Sequence, residues 1–225
     1  MHVQEDRLLS PLILPLGAQR FQFPEVVLVE NEERADAARI MWPACERGRA
    51  CQAAAEAAEG IRWRLPKTSS AILAFTSPLD EDAKDQPLLA VLPELAKRSR
   101  GECLVVDADP GPHALMQHLT LAGPATPKAG NLIYPSNLPR LHVMALTRSG
   151  QTVNPEWVHD WRERWPLVLI NAPSLEHRRG GLITGICDGT YLVVRLNRTS
   201  RRAVREAAEV IRAQGGRLLG CLAVQ

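Results

Sequence analysis

The feature that most constrains this chain is a series of short apolar runs that do not alternate with polar residues. They are AILAFTS (71–77), ECLVVDAD (102–109), LHVMALT (141–147), PLVLINA (166–172), TYLVVRL (190–196) and RLLGCLAV (217–224). A strand with one wet face alternates in polarity, so a continuous apolar strand implies burial on both faces. Helical spacing lies between the runs. PLLAVLPELAKRSR (87–100) and SRRAVREAAEVIRAQGG (200–216) carry it clearly, with Gly215 and Gly216 as a stop, and a short helical piece is expected around HALMQHLTL. Trp157, Trp161 and Trp165 recur every four residues on a short helix that Pro166 ends. This alternation predicts an α/β fold, a mostly parallel central sheet with helices on both faces.

The amino-terminal part reads differently. Residues 1–30 contain Pro11, Pro15 and Pro24 and show no helical period, so an arm with at most short extended pieces is expected. Alanine-rich helix is expected from about Asn31 to a stop at Gly60, and the basic stretch IRWRLPKTSS then leads onward. The expected division is an arm and helical extension over 1–66, followed by the main domain over 67–225.

Bulk charge excludes several classes. A net charge of +2, from 27 basic and 25 acidic side chains, is too balanced to argue for nucleic acid or an anionic membrane surface. The apolar stretch from Leu8 to Leu16 is too short to span a membrane and is broken by prolines, and no signal-peptide pattern opens the chain. Five cysteines without a CxxC spacing indicate neither a disulfide framework nor a zinc site, so a cytoplasmic protein is expected, with Cys103 and Cys221 in its core. Neither HxxxH nor GxSxG occurs, which gives no support to zinc hydrolysis or an elbow serine.

In an open parallel sheet ligands bind at the carboxyl ends of the strands, so the informative loops begin at Ser77, Asp107 and Asn171. FTSPLDEDAKDQPLL (75–89) has the layout of a phosphate-binding loop: strand, loop with a late lysine, helix. Yet it has no glycine and is crowded with acids. The second loop follows a strand ending Asp107-Ala108-Asp109, and the third follows a strand ending Asn171-Ala172-Pro173.

Taken in order and spacing, these motifs make the chain from about Ser70 to Gln225 resemble the cytoplasmic domain of bacterial tyrosine kinases (BY-kinases). These are P-loop autokinases related to the MinD/ParA ATPases. The family's loop, roughly T-S-A-x-P-G-E-G-K-[ST], is followed in register by Thr76-Ser77-Pro78-Leu79-Asp80-Glu81-Asp82-Ala83-Lys84-Asp85. Asp107 and Asp109 match its D-x-D motif, and Asn171 stands at the aspartate of its third motif. NLPRLHVMALT with Asn154-Pro155-Glu156 looks like its LPAG…NPAE stretch, and 188–225 looks like its last strand–helix–strand. The segment between the second motif and LHVMALT is shorter than in most relatives, so helices there are expected to be lost.

The departures weigh against the family's chemistry. Glu81 and Ala83 occupy both glycine positions, where backbone freedom lets N–H groups cradle phosphates. Asp85 replaces the hydroxyl that would hold Mg²⁺, and Asn171 replaces a metal-organising carboxylate. Four carboxylates and one ammonium lie between Asp80 and Asp85, a net −3. Each contact between like charges at about 4 Å costs roughly 1 kcal/mol in water and about 4 kcal/mol at an effective dielectric of 20. Lys84 is expected to form a weak surface pair with its acidic neighbours, while Asp107 and Asp109 cap the next turn.

The remaining features have milder readings. Asp36, Arg39 and Trp42 resemble the family's E-x-x-R-x-x-R assembly helix with altered charges, which leaves a homo-oligomer open but puts the family's ring in question. The tryptophans at 157, 161 and 165 suit either a core stripe or an interface. Arg201, Arg202 and Arg205 read as a solvated face, and His177, Arg178 and Arg179 as a solvated loop. Tyr134 and Tyr191 are the only tyrosines and the last strand runs to the end, so the family's tyrosine-rich tail is expected to be missing.

The resemblance with its departures predicts a non-catalytic, BY-kinase-like protein with no firmly held cofactor and at most weak Mg-ATP or Mg-ADP binding. It would work as the cytoplasmic subunit of a capsule or exopolysaccharide co-polymerase, beside a membrane-embedded chain-length regulator. Two alternatives are an active, divergent ATPase or autokinase, with Asp85 and Asp107 on metal and Lys84 on phosphate, and a partner-binding module outside polysaccharide export.

Overall fold

The computed structural model describes residues 26–29, 49–65, 70–82, 84–111, 114–128, 131–146 and 153–224. In chain order the elements are β1 (Val26–Val29), α1 (Arg49–Trp63), β2 (Ala71–Thr76), α2 (Asp85–Arg98), β3 (Cys103–Asp107), β4 (Thr126–Lys128), β5 (Asn131–Pro135), β6 (Leu141–Ala145), α3 (Pro155–Arg164), β7 (Leu167–Asn171), α4 (Arg178–Thr184), β8 (Gly189–Arg195), α5 (Arg201–Ala213) and β9 (Leu218–Val224). The described strands form one sheet of nine in the order β1-β9-β8-β2-β7-β3-β6-β5-β4. Pairing is parallel from β1 through to β6 and antiparallel at β6-β5-β4.

The continuous apolar runs are explained by what covers the two faces. Along β2, Leu73 and Phe75 pack toward α1 and α2, against Ala57, Ile61, Leu88 and Leu92. Ile72 and Ala74 point the other way, toward Trp161 of α3 and Ile183 of α4. On β8, Leu192 and Val194 pack with Ala207 and Ile211 of α5. Successive side chains leave a strand on opposite faces, so helices on both sides require every position to be apolar.

Local chemistry sets several helix ends. Asn154 caps α3 by accepting from the Glu156 N–H at 3.0 Å, with Pro155 in the first turn. Ser200 caps α5 by accepting from the Ala203 N–H at 3.1 Å, and Gly215, at φ +79°, lets the chain leave that helix. Cys103 and Cys221 are buried, as expected, and burial pushes the Cys221 thiol up to about 12.

Within the expected arm, Val26–Val29 is a short extended piece that adds a strand to the sheet beside β9. Several expectations are corrected. Helix α1 does not stop at Gly60 but runs to Trp63, because Ile61 is fully buried in the core shared with α2. The described residues on either side of the 66/67 boundary therefore share one sheet and one core. Among the described residues between β3 and β6, a 3-10 turn (Leu115–Gln117) stands where a short helical piece is expected, followed by an antiparallel hairpin. The solvated loop expected at Arg178 and Arg179 is the first turn of α4. Asp36, Arg39 and Trp42 lie outside the described residues.

The tryptophan stripe is core rather than interface. Trp161 and Trp165 are 3% and 5% exposed and pack on Ile72, Leu104 and Val168, while Trp157 is half-buried against the same cluster. Replacing Trp161 with alanine is expected to cost about 3–5 kcal/mol of stability in urea unfolding. A loss below about 1 kcal/mol would show that this side chain does not fill the core.

Candidate functional site: an acidic loop at the carboxyl ends of the strands

The parallel register brings the three motifs together. Phe75 on β2 pairs with Asn171 on β7, and Asn171 pairs with Asp107 on β3, so all three loops leave the sheet side by side. Backbone bonds hold the loop bases: Ala172 N–H donates to Phe75 O and Ala108 N–H to Asn171 O, each at 2.9 Å. The first loop is further tied down by Thr76, whose hydroxyl donates to Pro173 O at 2.6 Å, and by the Leu175 N–H on Ser77 O at 2.9 Å.

Lys84 ends this loop and is 1% exposed. Its ammonium donates to Asp109 Oδ2 at 2.5 Å. The expected weak surface pair with adjacent acids is thus corrected: the partner belongs to the second motif, the lysine is buried and the pair is part-buried. Asp109 also accepts from the Gly111 N–H at 2.8 Å, which is the turn-capping role expected of it.

The loop acids face outward to neighbouring loops and do not converge on one point. Asp80 accepts from the Ser174 hydroxyl and meets His177 Nε2 at 2.8 Å, both on the segment after β7. Burial alone would raise its pKa, but these two bonds and the charges of His177 and Lys84 outweigh it and lower it. Asp82 is 1% exposed and accepts from the Thr199 hydroxyl at 2.5 Å, on the segment after β8, and donation from the Leu79 N–H reaches it at 3.3 Å. Its burial nevertheless raises its pKa. Asp85, also buried, lies 3.3 Å from His118 Nε2, just after the 3-10 turn. Glu81 is exposed, and Ala83 lies outside the described residues.

The loop's formal charge of −3 is thus spread over separate partners and is not gathered at one point. Hydroxyls and imidazoles engage Asp80, Asp82 and Asp85, three of its four carboxylates. Nothing in the spacing of Ser174, His177, Thr199 and His118 links them to 80–85, so the sequence alone does not reveal these partners.

Asp107 is 3% exposed and accepts from the Met116 N–H at 2.9 Å and from Asn171 Nδ2 at 2.8 Å. The Asn171 amide thus donates to a buried carboxylate where an aspartate would repel it. Beside the first loop, a cleft of about 490 Å³ is lined by the acids Asp80, Asp109 and Glu176 together with His177, Arg178 and Arg179. Among the described residues no group of three metal-ligating side chains occurs. As arranged, these residues do not fit a nucleoside triphosphate with its metal. The ammonium that would hold a phosphate is engaged by Asp109, and a buried carboxylate stands where a hydroxyl would meet Mg²⁺.

Burial, with the charge of Asp109, lifts the Asp107 carboxyl to about 6 against the bonds from Met116 and Asn171. Between the ordinary value near 3.8 and about 6, the folded protein keeps a proton that the unfolded chain has lost. Asp107 therefore makes folding less favourable as pH rises through that window, by on the order of 2–3 kcal/mol. Urea unfolding of the wild type and of Asp107→Asn across pH 4–7 is expected to show a smaller loss of stability with rising pH in the variant. Parallel curves would contradict it.

No protein-family model matches the chain, and neither does any curated protein. Solved structures do. The VpsO kinase domain superposes with a TM-score of 0.64 at 18% identity, covering 78% of this chain and 94% of its own. The kinase domain of the Escherichia coli tyrosine kinase ETK gives 0.62 at 15% identity, covering 85% and 84%. The chimerical protein CapA2B2 gives 0.68 at 14% identity, covering 89% and 94%. These likenesses correct the expectation of a protein that is not an enzyme. Kinase domains share its fold, and the departures at Glu81, Ala83, Asp85 and Asn171 do not establish inactivity. The chain has the fold of the bacterial tyrosine-kinase domains, carried on a mostly parallel P-loop-type sheet.

Proposed function

We infer that this chain is a kinase-fold component of capsule or exopolysaccharide export whose phosphate loop is filled by its own side chains. It acts through contact with a membrane-embedded chain-length regulator. One observation carries the reading: the lysine at the phosphate position is buried and bonded to Asp109 at 2.5 Å. A ligand phosphate would have to displace that carboxylate inside a low-dielectric site, where separating a paired charge costs about 3–5 kcal/mol. That cost is equivalent to a loss of roughly two to four decades in affinity. The partner assignment is supported by the fold shared with tyrosine-kinase domains and by the order of motifs over residues 70–225.

Isothermal titration with Mg-ATP and Mg-ADP tests the loop. Wild-type protein is expected to bind with Kd in the millimolar range or weaker, and Asp109→Asn, which leaves Lys84 available, about tenfold more tightly or better. Micromolar binding by the wild type would overturn the reading. Co-expression with the candidate regulator tests the partner: the two should co-purify from detergent-solubilised membranes, and independent elution would remove the assignment.

A further inference from the structure

At the opposite end of the sheet from the acidic loop, a cleft of about 570 Å³ opens between the carboxyl ends of α1 and α2 and the first residues of β2 and β7. Its floor is apolar, including Leu95 and Leu167, and its rim carries Arg62, Arg98 and Arg100 against one acid, Glu59. Arg62 and Arg98 lie in the last turns of their helices, where a cation offsets the helix dipole. Arg98 is also bonded to Glu94. Neither explanation reaches Arg100, which is exposed beyond the end of α2.

Nor do they reach Trp63. This side chain lines the same cleft and is 74% exposed, whereas Trp161 and Trp165 are nearly buried. A large aromatic left in water beside guanidinium groups has the composition of a bilayer-interface anchor. Indole settles at the headgroup level, and arginine forks bind phosphate diesters. The area is small and the cations few, so contact would be weak and reversible.

We propose that this cleft is a membrane-docking surface, taking the headgroup of an anionic phospholipid between Arg62 and Arg100 while Trp63 enters the interface. The proposal deepens the reading of the chain as a protein that works at a membrane. Its test uses the chain alone, so that failure here and failure of the regulator contact are told apart.

The experiment is co-sedimentation with phosphatidylcholine vesicles containing roughly one third phosphatidylglycerol, alongside pure phosphatidylcholine vesicles, with tryptophan emission recorded. Binding is expected only to the anionic vesicles, with a blue shift, and weakened by added salt. Trp63→Ala is expected to abolish the shift. The pair Arg62→Glu and Arg100→Glu is expected to reduce the bound fraction at least about fivefold, with near-UV circular dichroism unchanged. No sedimentation with anionic vesicles, equal binding to neutral ones, or indifference to these substitutions would overturn the proposal. So would displacement by millimolar glycerol 3-phosphate, which would identify a site for a free phosphate ester.

Discussion

The arrangement at the carboxyl ends of the strands depends on one largely buried ion pair. Lys84 and Asp109 are separated by 25 residues, and their side chains are 1% and 9% exposed. Burying two charges is costly, and a hydrophobic pair of similar volume could serve the fold as well. Once both charges are buried, each needs the other, and removing either leaves an uncompensated ion. The pair thereby fixes the amino end of α2 to the turn after β3. In doing so it occupies the place where a kinase-type loop would meet a phosphate.

Around that pair, the acids of the loop distribute themselves among its neighbours. Asp80 reaches Ser174 and His177 after β7, Asp82 reaches Thr199 after β8, and Asp85 reaches His118 after β3. A loop without glycine cannot form a nest of amides, so its rigidity has to come from side chains. The bonds that order the loop come from Asp80, Asp82 and Asp85. Asn171 follows this logic, since its amide makes the buried Asp107 carboxylate tolerable.

Much of the fold is legible in the sequence because both faces of the central strands are covered, and that leaves an unmistakable apolar signature. The three motif loops can be placed for the same reason, since strand ends locate ligand sites in such sheets. What is not legible depends on long-range partners. Val26–Val29 is a strand only because β9, at the far end of the chain, pairs with it. Helix α4 opens Arg-Arg-Gly-Gly, a weak helical signal, yet Gly180 is required there: a Cβ would lie 2.4 Å from Ser174 O. The ties of the acidic loop are equally hidden. Counting charges predicts a crowd of anions, whereas the folded chain pairs them with groups scattered over several loops.

The account stands on the coupling between Lys84 and Asp109. A double-mutant cycle of Lys84→Met and Asp109→Asn, read by urea unfolding at neutral pH, measures it directly. Each single change is expected to destabilise by about 3–5 kcal/mol, and the double variant by at least about 2 kcal/mol less than their sum. Additivity within about 0.5 kcal/mol would show that the two side chains do not depend on each other, and the self-filled loop would have to be abandoned.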